Sequence, residues 1–379
     1  MSDVITIKNI SGYDDSAALD SSICEIFANS PLSRGIASDA RVVLKLNTLM
    51  KASPDEAVTT HPAVVGAAIN ALHKLGARDI TLCDSPSGPF SRGRLKGIYD
   101  VCGLTPLARD GVRLALESSS VTVSCDGTIR EFEILRTVKN ADIVIGICKL
   151  KTHALMGMTG AVKNYFGAIP GLGKAQMHCR FPDSTLFADM LCELCDTIAP
   201  DFSLVDAVVG MQGNGPSGGE PRTFGFVAGS ADPFALDLML SHILGISPCK
   251  ALTVASSIAS GRVSETALSL NIMGDRSRFD EPIQNLELPD SFKDSVPPQA
   301  QRPLPRALQN FIAPHPVVRW RDCIGCGRCA EICPLHAISL LNRRAKIDSS
   351  RCIRCFCCHE VCPQRAIDIK KSVLFKVFK

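Results

Sequence analysis

"CIGCGRCAEICP" (323–334) sets four cysteines at spacings of two, two and three residues and closes on a proline. A near-copy, "CIRCFCCHEVCP" (352–363), follows with the same spacing. Cysteines that only pack a core do not recur in register. The two runs mark off a small C-terminal module with an internal repeat. Each half reads as a cysteine-rich loop, a short helix and a strand. The strands are "AISLLN" (337–342) and "AIDIKK" (366–371), at matching offsets.

The run C-x2-C-x2-C-x3-C-P is that of two-cluster bacterial ferredoxins, and the module resembles them over about 55 residues. In that pattern the first three cysteines wrap one cubane and the fourth crosses to the other. The resemblance implies one [4Fe-4S] cluster on Cys323, Cys326, Cys329 and Cys362. It implies a second on Cys352, Cys355, Cys358 and Cys333. Pro334 and Pro363 turn the chain after the crossing ligand. Gly325 and Gly327 let amides approach the sulfurs. Zinc prefers paired C-x2-C knuckles, which two full runs ending in proline are not. Cys357 is extra to both sets and is expected to be spare.

Upstream, the stretch 286–317 is proline-rich, with seven prolines from Pro289 to Pro316. It reads as a stiff connector. Before it, strand and helix patterns alternate. "ARVVLKLN" (40–47), "DITLCD" (79–84), "ADIVIGICKL" (141–150), "FSLVDAVVG" (202–210) and "TFGFVAGS" (223–230) read as buried strands. "HPAVVGAAINALHKLGA" (61–77) and "DPFALDLMLSHILGI" (232–246) read as helices. The expected fold is α/β, a mostly parallel sheet with helices on both faces, plus a small α+β ferredoxin domain. The expected boundaries are 1–285 for the α/β domain, 286–317 for the linker, 318–372 for the cluster domain and 373–379 for a basic tail.

The chain has 379 residues, of which 46% are apolar, so a sizeable core is expected. Aromatics make up 5%, with one Trp, too few for base-stacking recognition of nucleic acid. From Val318 onward basic residues outnumber acidic ones 13 to 5, although the whole chain carries only +3. An acidic partner, or the acidic body itself, suits such a module. Nine further cysteines are scattered before Val318 and read as reduced core residues. "MSDVITIKNI" has no basic n-region and no apolar h-region, and no run reaches 18 apolar residues. A cytoplasmic protein with no membrane span is expected.

In parallel α/β sheets, sites gather at the carboxyl ends of strands. The densest polar stretch is "KLKTHALMGMTGAVKN" (149–164), read as a loop after a strand, with Lys151, His153, Lys163 and Asn164. Glycines 157 and 160 are expected to let backbone approach a ligand. "DAVVGMQGNGPSGG" (206–219) offers Asp206 and Asn214 in a glycine loop that suits an anion. Lys45, Asn47 and Asp84 end the strands before them. His178 lies near Lys174 and Arg180. His61 reads as a helix start, and Asp232 as a helix cap. The candidate catalytic residues are Lys163, His153 and His178. The candidate binding residues are Lys45, Asn47, Asp84, Lys151, Asn164, Asp206 and Asn214.

The stretches "VLKLN", "KLKTHALMGMTGAVKN", "VDAVVGMQGNGPSGG" and "SADPFALD" together resemble the domain of unknown function 362 family, over roughly 5–250. His153, Gly157, Gly160 and Lys163, followed by Pro170-Gly171 and His178, are also similar to the active-site stretch of nickel-pincer lactate racemases. That resemblance implies a pyridinium-derived cofactor on Lys163, nickel on His178 and acid/base work by His153. Ala161 departs from it, standing where that family has a glycine.

Three readings follow. The first is a ferredoxin-linked oxidoreductase, passing electrons between the clusters and an anionic small molecule on the α/β domain, with an electron-transfer protein as partner. The second is a non-catalytic electron carrier or assembly factor. The third is a racemase-like enzyme whose α/β domain holds a further cofactor. All three require iron. Protein purified without oxygen should carry about eight irons per chain with matching sulfide, by metal and sulfide analysis, and Cys355→Ser should lose about half of it.

Overall fold

The computed structural model describes residues 4–292 and 314–370. Residues 293–313 of the expected linker, and the expected tail, lie outside them. In the body the strands are β1 (Val4–Asn9), β2 (Arg41–Lys45), β3 (Asp79–Cys83), β4 (Val112–Leu114), β5 (Ser120–Ser124), β6 (Glu131–Leu135), β7 (Ile143–His153), β8 (Gly157–Thr159), β9 (Phe202–Gln212), β10 (Glu220–Ser230) and β11 (Asn271–Gly274). The C-terminal module has β12 (His315–Val318), β13 (Ile338–Leu341), β14 (Arg344–Ile347) and β15 (Ile367–Lys370).

The main sheet runs β11-β1-β10-β9-β7-β2-β3-β4, with β8 on β7. From β9 to β4 the neighbours are parallel. β10 is antiparallel to both β9 and β1. The sheet is thus mostly parallel but mixed. β5 and β6 form a separate antiparallel hairpin.

Side chains alternate across a strand, so each strand feeds two cores. Val42, Leu44, Ile145, Ile147, Leu204 and Val227 pack with helices Ser16–Ala28 and Pro62–Lys74 on one face. Cys148, Leu150, Val205, Ala207, Phe226 and Ala228 pack with helix Pro233–Ile243 on the other. Caps set where these helices begin. His61 Nδ1 accepts from Ala63 N at 3.2 Å, ahead of Pro62. Asp232 accepts from Phe234 N and Ala235 N at 2.8 and 3.0 Å.

From β2 the chain winds outward through β3 to β4, and β7 and β9 lie on the other side of β2. The winding therefore reverses between β2 and β7. A crevice opens at the carboxyl ends of strands at such a point.

Two expectations change here. The stretch 149–164 is not a loop. β7 continues through His153 and folds back as β8, pairing Lys151 with Thr159 and His153 with Gly157. Gly160 does not face a ligand either. A Cβ there would overlap Asp237 Oδ1, which accepts from Ala161 N at 2.6 Å and caps the turn carrying Lys163.

In the C-terminal module β12 pairs with β15 and β13 with β14. Helices Arg328–Ile332 and Cys357–Glu360 follow the two cysteine loops. Before the module, residues 286–292 lie on the body. Leu286 and Leu288 pack on its core, and Asp290 N donates to Asn214 Oδ1 at 2.8 Å.

Lys149 and Asp206 face each other across β7 and β9 at 2.6 Å, both fully buried. Tyr13 joins them, donating to Asp206 Oδ1 at 2.7 Å. Removing one partner strands a charge in the core. Lys149→Met should lower the unfolding free energy by about 3–5 kcal/mol in urea titrations, and Lys149→Met with Asp206→Leu should recover part of it.

Candidate functional site

Three parallel strands deliver polar side chains to the crevice at the β2–β7 reversal. β2 ends on Lys45, β3 is followed by Asp84, and β7 ends with Lys151 and His153. Lys45 Nζ meets Asp84 Oδ1 at 2.7 Å, both buried. Asp84 Oδ2 accepts from the Thr48 backbone and hydroxyl at 2.6 and 2.7 Å. Lys151 Nζ donates to Asn47 Oδ1 at 2.7 Å and to Val58 O at 2.8 Å. Asn164 Nδ2 donates to Lys45 O at 3.1 Å. Gly167 keeps this corner open, because a Cβ on it would overlap both Asp84 Oδ1 and Lys45 Nζ.

Lys45, Asn47, Asp84, Lys151 and Asn164, with Lys163, Lys174 and His178, line a cavity of about 60 Å³. Part of its wall comes from the C-terminal module, as Ile332, Cys357 and Glu360. Glu360 Oε1 lies 3.2 Å from His153 Nε2. His153 Nδ1 accepts from Leu155 N and Met156 N at 3.0 and 3.3 Å, so the neutral ring carries its proton on Nε2, toward Glu360. That N–H has no well-aligned acceptor. The ring of His178 stacks on Phe187 with centroids 4.1 Å apart and meets Phe166 edge-on. Among the described residues, Lys163 Nζ makes no hydrogen bond or ion pair, and lies 6.0 Å from the centre of the Phe166 ring.

Burial dominates the electrostatics. It pushes His153 down to about 4 and His178 to about 3, so both are neutral near pH 7. It pushes Lys151 down to about 7, helped by the charges of Lys163 and Lys149. It pushes Lys174 down to about 7 against the pull of Asp84. For Glu360 burial works upward, but His153 and the Lys163 charge outweigh it and hold the carboxyl below its usual range. A carboxylate thus faces a neutral N–H donor, with two amines poised near neutrality. Such a set can hold an anion and exchange a proton with it.

The module is seated by further contacts. Ser217 Oγ donates to Glu360 O at 2.9 Å, His359 Nε2 lies 3.0 Å from Asn214 O, and Arg365 pairs with Glu56 at 2.9 Å. Phe356 and Ile369 pack on Ala154, and Ile332, Cys357 and Val361 pack on Ala175.

Of the ten body residues expected, the structure brings Lys45, Asn47, Asp84, Lys151, His153, Lys163, Asn164 and His178 to one place. Two are corrected. Asp206 does not line the cavity, because Lys149 and Tyr13 occupy it on the same face of the sheet, one step before Lys151. Asn214 serves the seam between modules, through its bonds to Asp290 and His359. Glu360, Thr48 and Asp237 were not nominated, Lys174 was noted only as a neighbour of His178, and Cys357, extra to both ligand sets, lines the cavity. The signal for Glu360 lay in the repeat, where "CAEICP" and "CHEVCP" set a glutamate at equivalent places. Glu331 of the first copy is exposed and only feels Arg94, whereas Glu360 is buried in the cavity wall.

The cysteines have the donor chemistry of cubane clusters. Cys323, Cys326, Cys329 and Cys362 line one cavity. Cys333 lies within electrostatic reach of Cys352 and Cys358. Backbone amides point at sulfur: Ala337 N to Cys333 and Ala366 N to Cys362 at 3.2 Å, Ala345 N to Cys323 and Arg354 N to Cys352 at 3.4 Å. Among the described residues no three His, Cys, Asp or Glu side chains gather as a lone ion requires.

Residues 42–242, more than half of the chain, match the family described as "Domain of unknown function (DUF362)". The chain belongs to that family. Residues 322–370 match the 4Fe-4S dicluster domain, so this DUF362 protein is an iron–sulfur protein. It is 34% identical over 226 residues to the thylakoid-associated protein sll1697 of Synechocystis, a match covering 57% of this chain and 66%, just under two thirds, of that relative. Among solved structures, the lactate racemase apoprotein of Thermoanaerobacterium thermosaccharolyticum aligns with a TM-score of 0.38 and 12% identity, over 62% of this chain and 55% of the racemase. That likeness carries no argument here.

The residues themselves test the pincer cofactor. Lys163 and His178 do line one cavity, and His153 meets its Glu360 wall. A single six-membered ring, however, takes a cavity of about 150 Å³, and this one is about 60 Å³. A pyridinium-derived group does not fit beside the seated module.

Lys151 ties stability to pH. Held near 7 against 10.5, it binds a proton in the unfolded chain that the folded chain lacks between those values. Its contribution to stability therefore rises from about pH 7 toward 10.5 and is lost on acidification. Unfolding titrations across that window should show the rise in the parent protein and a weaker one in Lys151→Met.

Proposed function

We propose that this protein is a ferredoxin-linked oxidoreductase in which two clusters exchange electrons with a small anion held in the lysine-lined cavity. One observation carries the reading. The helix of the second cysteine motif, Cys357–Glu360, forms part of the cavity wall. The peptide that would hold a cluster is thus the peptide that would touch the substrate.

The ligand sets proposed are Cys323, Cys326, Cys329 and Cys362 for the outer cluster, and Cys352, Cys355, Cys358 and Cys333 for the inner one. When bound, the clusters supply single electrons. The amines of Lys163, Lys151 and Lys174 would neutralise the anion, and His153 would hold a proton at Nε2 beside Glu360. An electron-transfer protein would dock at the outer cluster, where Cys326 is exposed and Ile324 and Leu340 are 56% and 47% exposed. The basic balance of the module suits an acidic partner. We propose a cytoplasmic location. Among the described residues no helix is long and apolar enough to cross a membrane. The name of the Synechocystis relative makes the split between soluble and membrane fractions the check on that placement.

The central test follows the clusters' visible absorbance. Chemically reduced protein, mixed without oxygen with the low-molecular-mass fraction of a cell extract, should be reoxidised. Lys163→Met should slow this by about tenfold or more, since a hydrogen bond to a charged group is worth about 1.5–3 kcal/mol. Equal rates in the parent and Lys163→Met would sink the reading.

A further inference from the structure

The cavity also states what it can hold. This step rests on the reading above and narrows it to a ligand class. Four amines, on Lys45, Lys151, Lys163 and Lys174, face two carboxylates, on Asp84 and Glu360. Lys45 and Asp84 satisfy each other. What remains is net cationic, with Lys163 Nζ unpartnered among the described residues, so the occupant is an anion. Glu360 stands on the same wall and disfavours a second negative charge on that occupant.

Size narrows it further. A cavity of about 60 Å³ holds a few waters. Small-molecule and cofactor pockets usually span about 300–1,000 Å³. Nucleotides and organic cofactors are too large, and an ion of about four heavy atoms is not.

One atom asks for more than charge. Asn164 is 5% exposed, and its Oδ1 has no hydrogen-bond partner. Its amide orientation is set by Nδ2, which donates to Lys45 O. A buried carbonyl left unpaired costs about 1–3 kcal/mol. A simple anion cannot satisfy it, because an anion without a proton only accepts. An oxyanion that keeps a hydroxyl can give its charged oxygens to Lys163 and its O–H to Asn164.

We propose that the cavity between the body and the cluster module binds a small protonated oxyanion of the hydrogencarbonate class, with Lys163 taking its charge and Asn164 Oδ1 accepting its hydroxyl proton.

Titration calorimetry of the full-length, oxidised iron–sulfur protein without oxygen, at constant ionic strength, compares sodium hydrogencarbonate with sodium nitrate. Nitrate has the same charge and a similar planar shape but no proton to donate. Hydrogencarbonate should bind saturably and about tenfold more tightly than nitrate, the worth of one buried hydrogen bond. Asn164→Leu should erase that preference, and Lys163→Met should weaken both ions. Equal affinity for the two in the parent protein overturns the proposal, as does hydrogencarbonate binding unchanged in Lys163→Met. The nitrate comparison needs no variant, so a misfolded variant cannot hide the answer. If hydrogencarbonate fails to bind while reoxidation by the extract still depends on Lys163, the ligand class falls and the electron-transfer reading stands. If hydrogencarbonate binds with the expected preference and no reoxidation occurs, the ligand class stands and the electron-transfer reading falls.

Discussion

Lysine amines end inside this protein at the carboxyl edge of a parallel sheet, where an unpartnered ammonium costs several kcal/mol. Much of the surrounding structure answers that constraint. Asp84 is spent on Lys45, and Asn47 and Val58 O on Lys151. One step earlier on β7 the same problem arises at Lys149, and Asp206 with Tyr13 resolves it. The difference between the two lysine sites is instructive. Around Lys149 the charges close on themselves, and nothing is left for a ligand. Around Lys163 the balance stays open, and Glu360 enters from another module.

That entry depends on how the cysteine repeat has diverged. The two halves align with an offset of 29 residues. Gly327 corresponds to Phe356, Arg328 to Cys357, Ala330 to His359 and Glu331 to Glu360. The second copy of each pair is buried, whereas in the first Arg328 and Glu331 reach only the field of Arg94 on the body. Gly325 and Gly327 adopt positive φ angles of 69° and 82°, which glycine permits freely. Arg354 and Phe356 hold nearly the same conformation, at 59° and 61°, where a side chain costs about 1–2 kcal/mol. Phe356 is buried against Ala154 and Ile369, a contact that offsets its strain. The loop geometry belongs to the cluster, and the side chains grafted on it belong to the interface.

This division gives the two cluster loops different surroundings. The first is edged by exposed Cys326 and Ile324, and the second is pressed on the cavity. Burial and hydrogen bonds to sulfur tune cluster potentials. Two loops of one sequence pattern, the first with an exposed cysteine and the second beside the cavity, would give bound clusters different potentials.

The sequence by itself determined the class of the fold and the chemistry of the cysteines. Alternating apolar strands and capped helices need only local pattern, and ligand spacing is written along the chain. Those signals placed β2, β3, β7, β9 and β10 within a few residues, though the antiparallel sense of β10 was not legible. The sequence also nominated most of the cavity lining, because strand ends in a parallel sheet fall together by topology. What it could not decide was which buried lysine each acid would meet. Asp206 is taken up by Lys149 and Tyr13, and so is lost to the cavity. Nor could it decide that Glu360, more than 200 residues after His153, would meet it. Such a contact depends on how one finished module docks on another. It is set by complementary surfaces that exist only after both have folded.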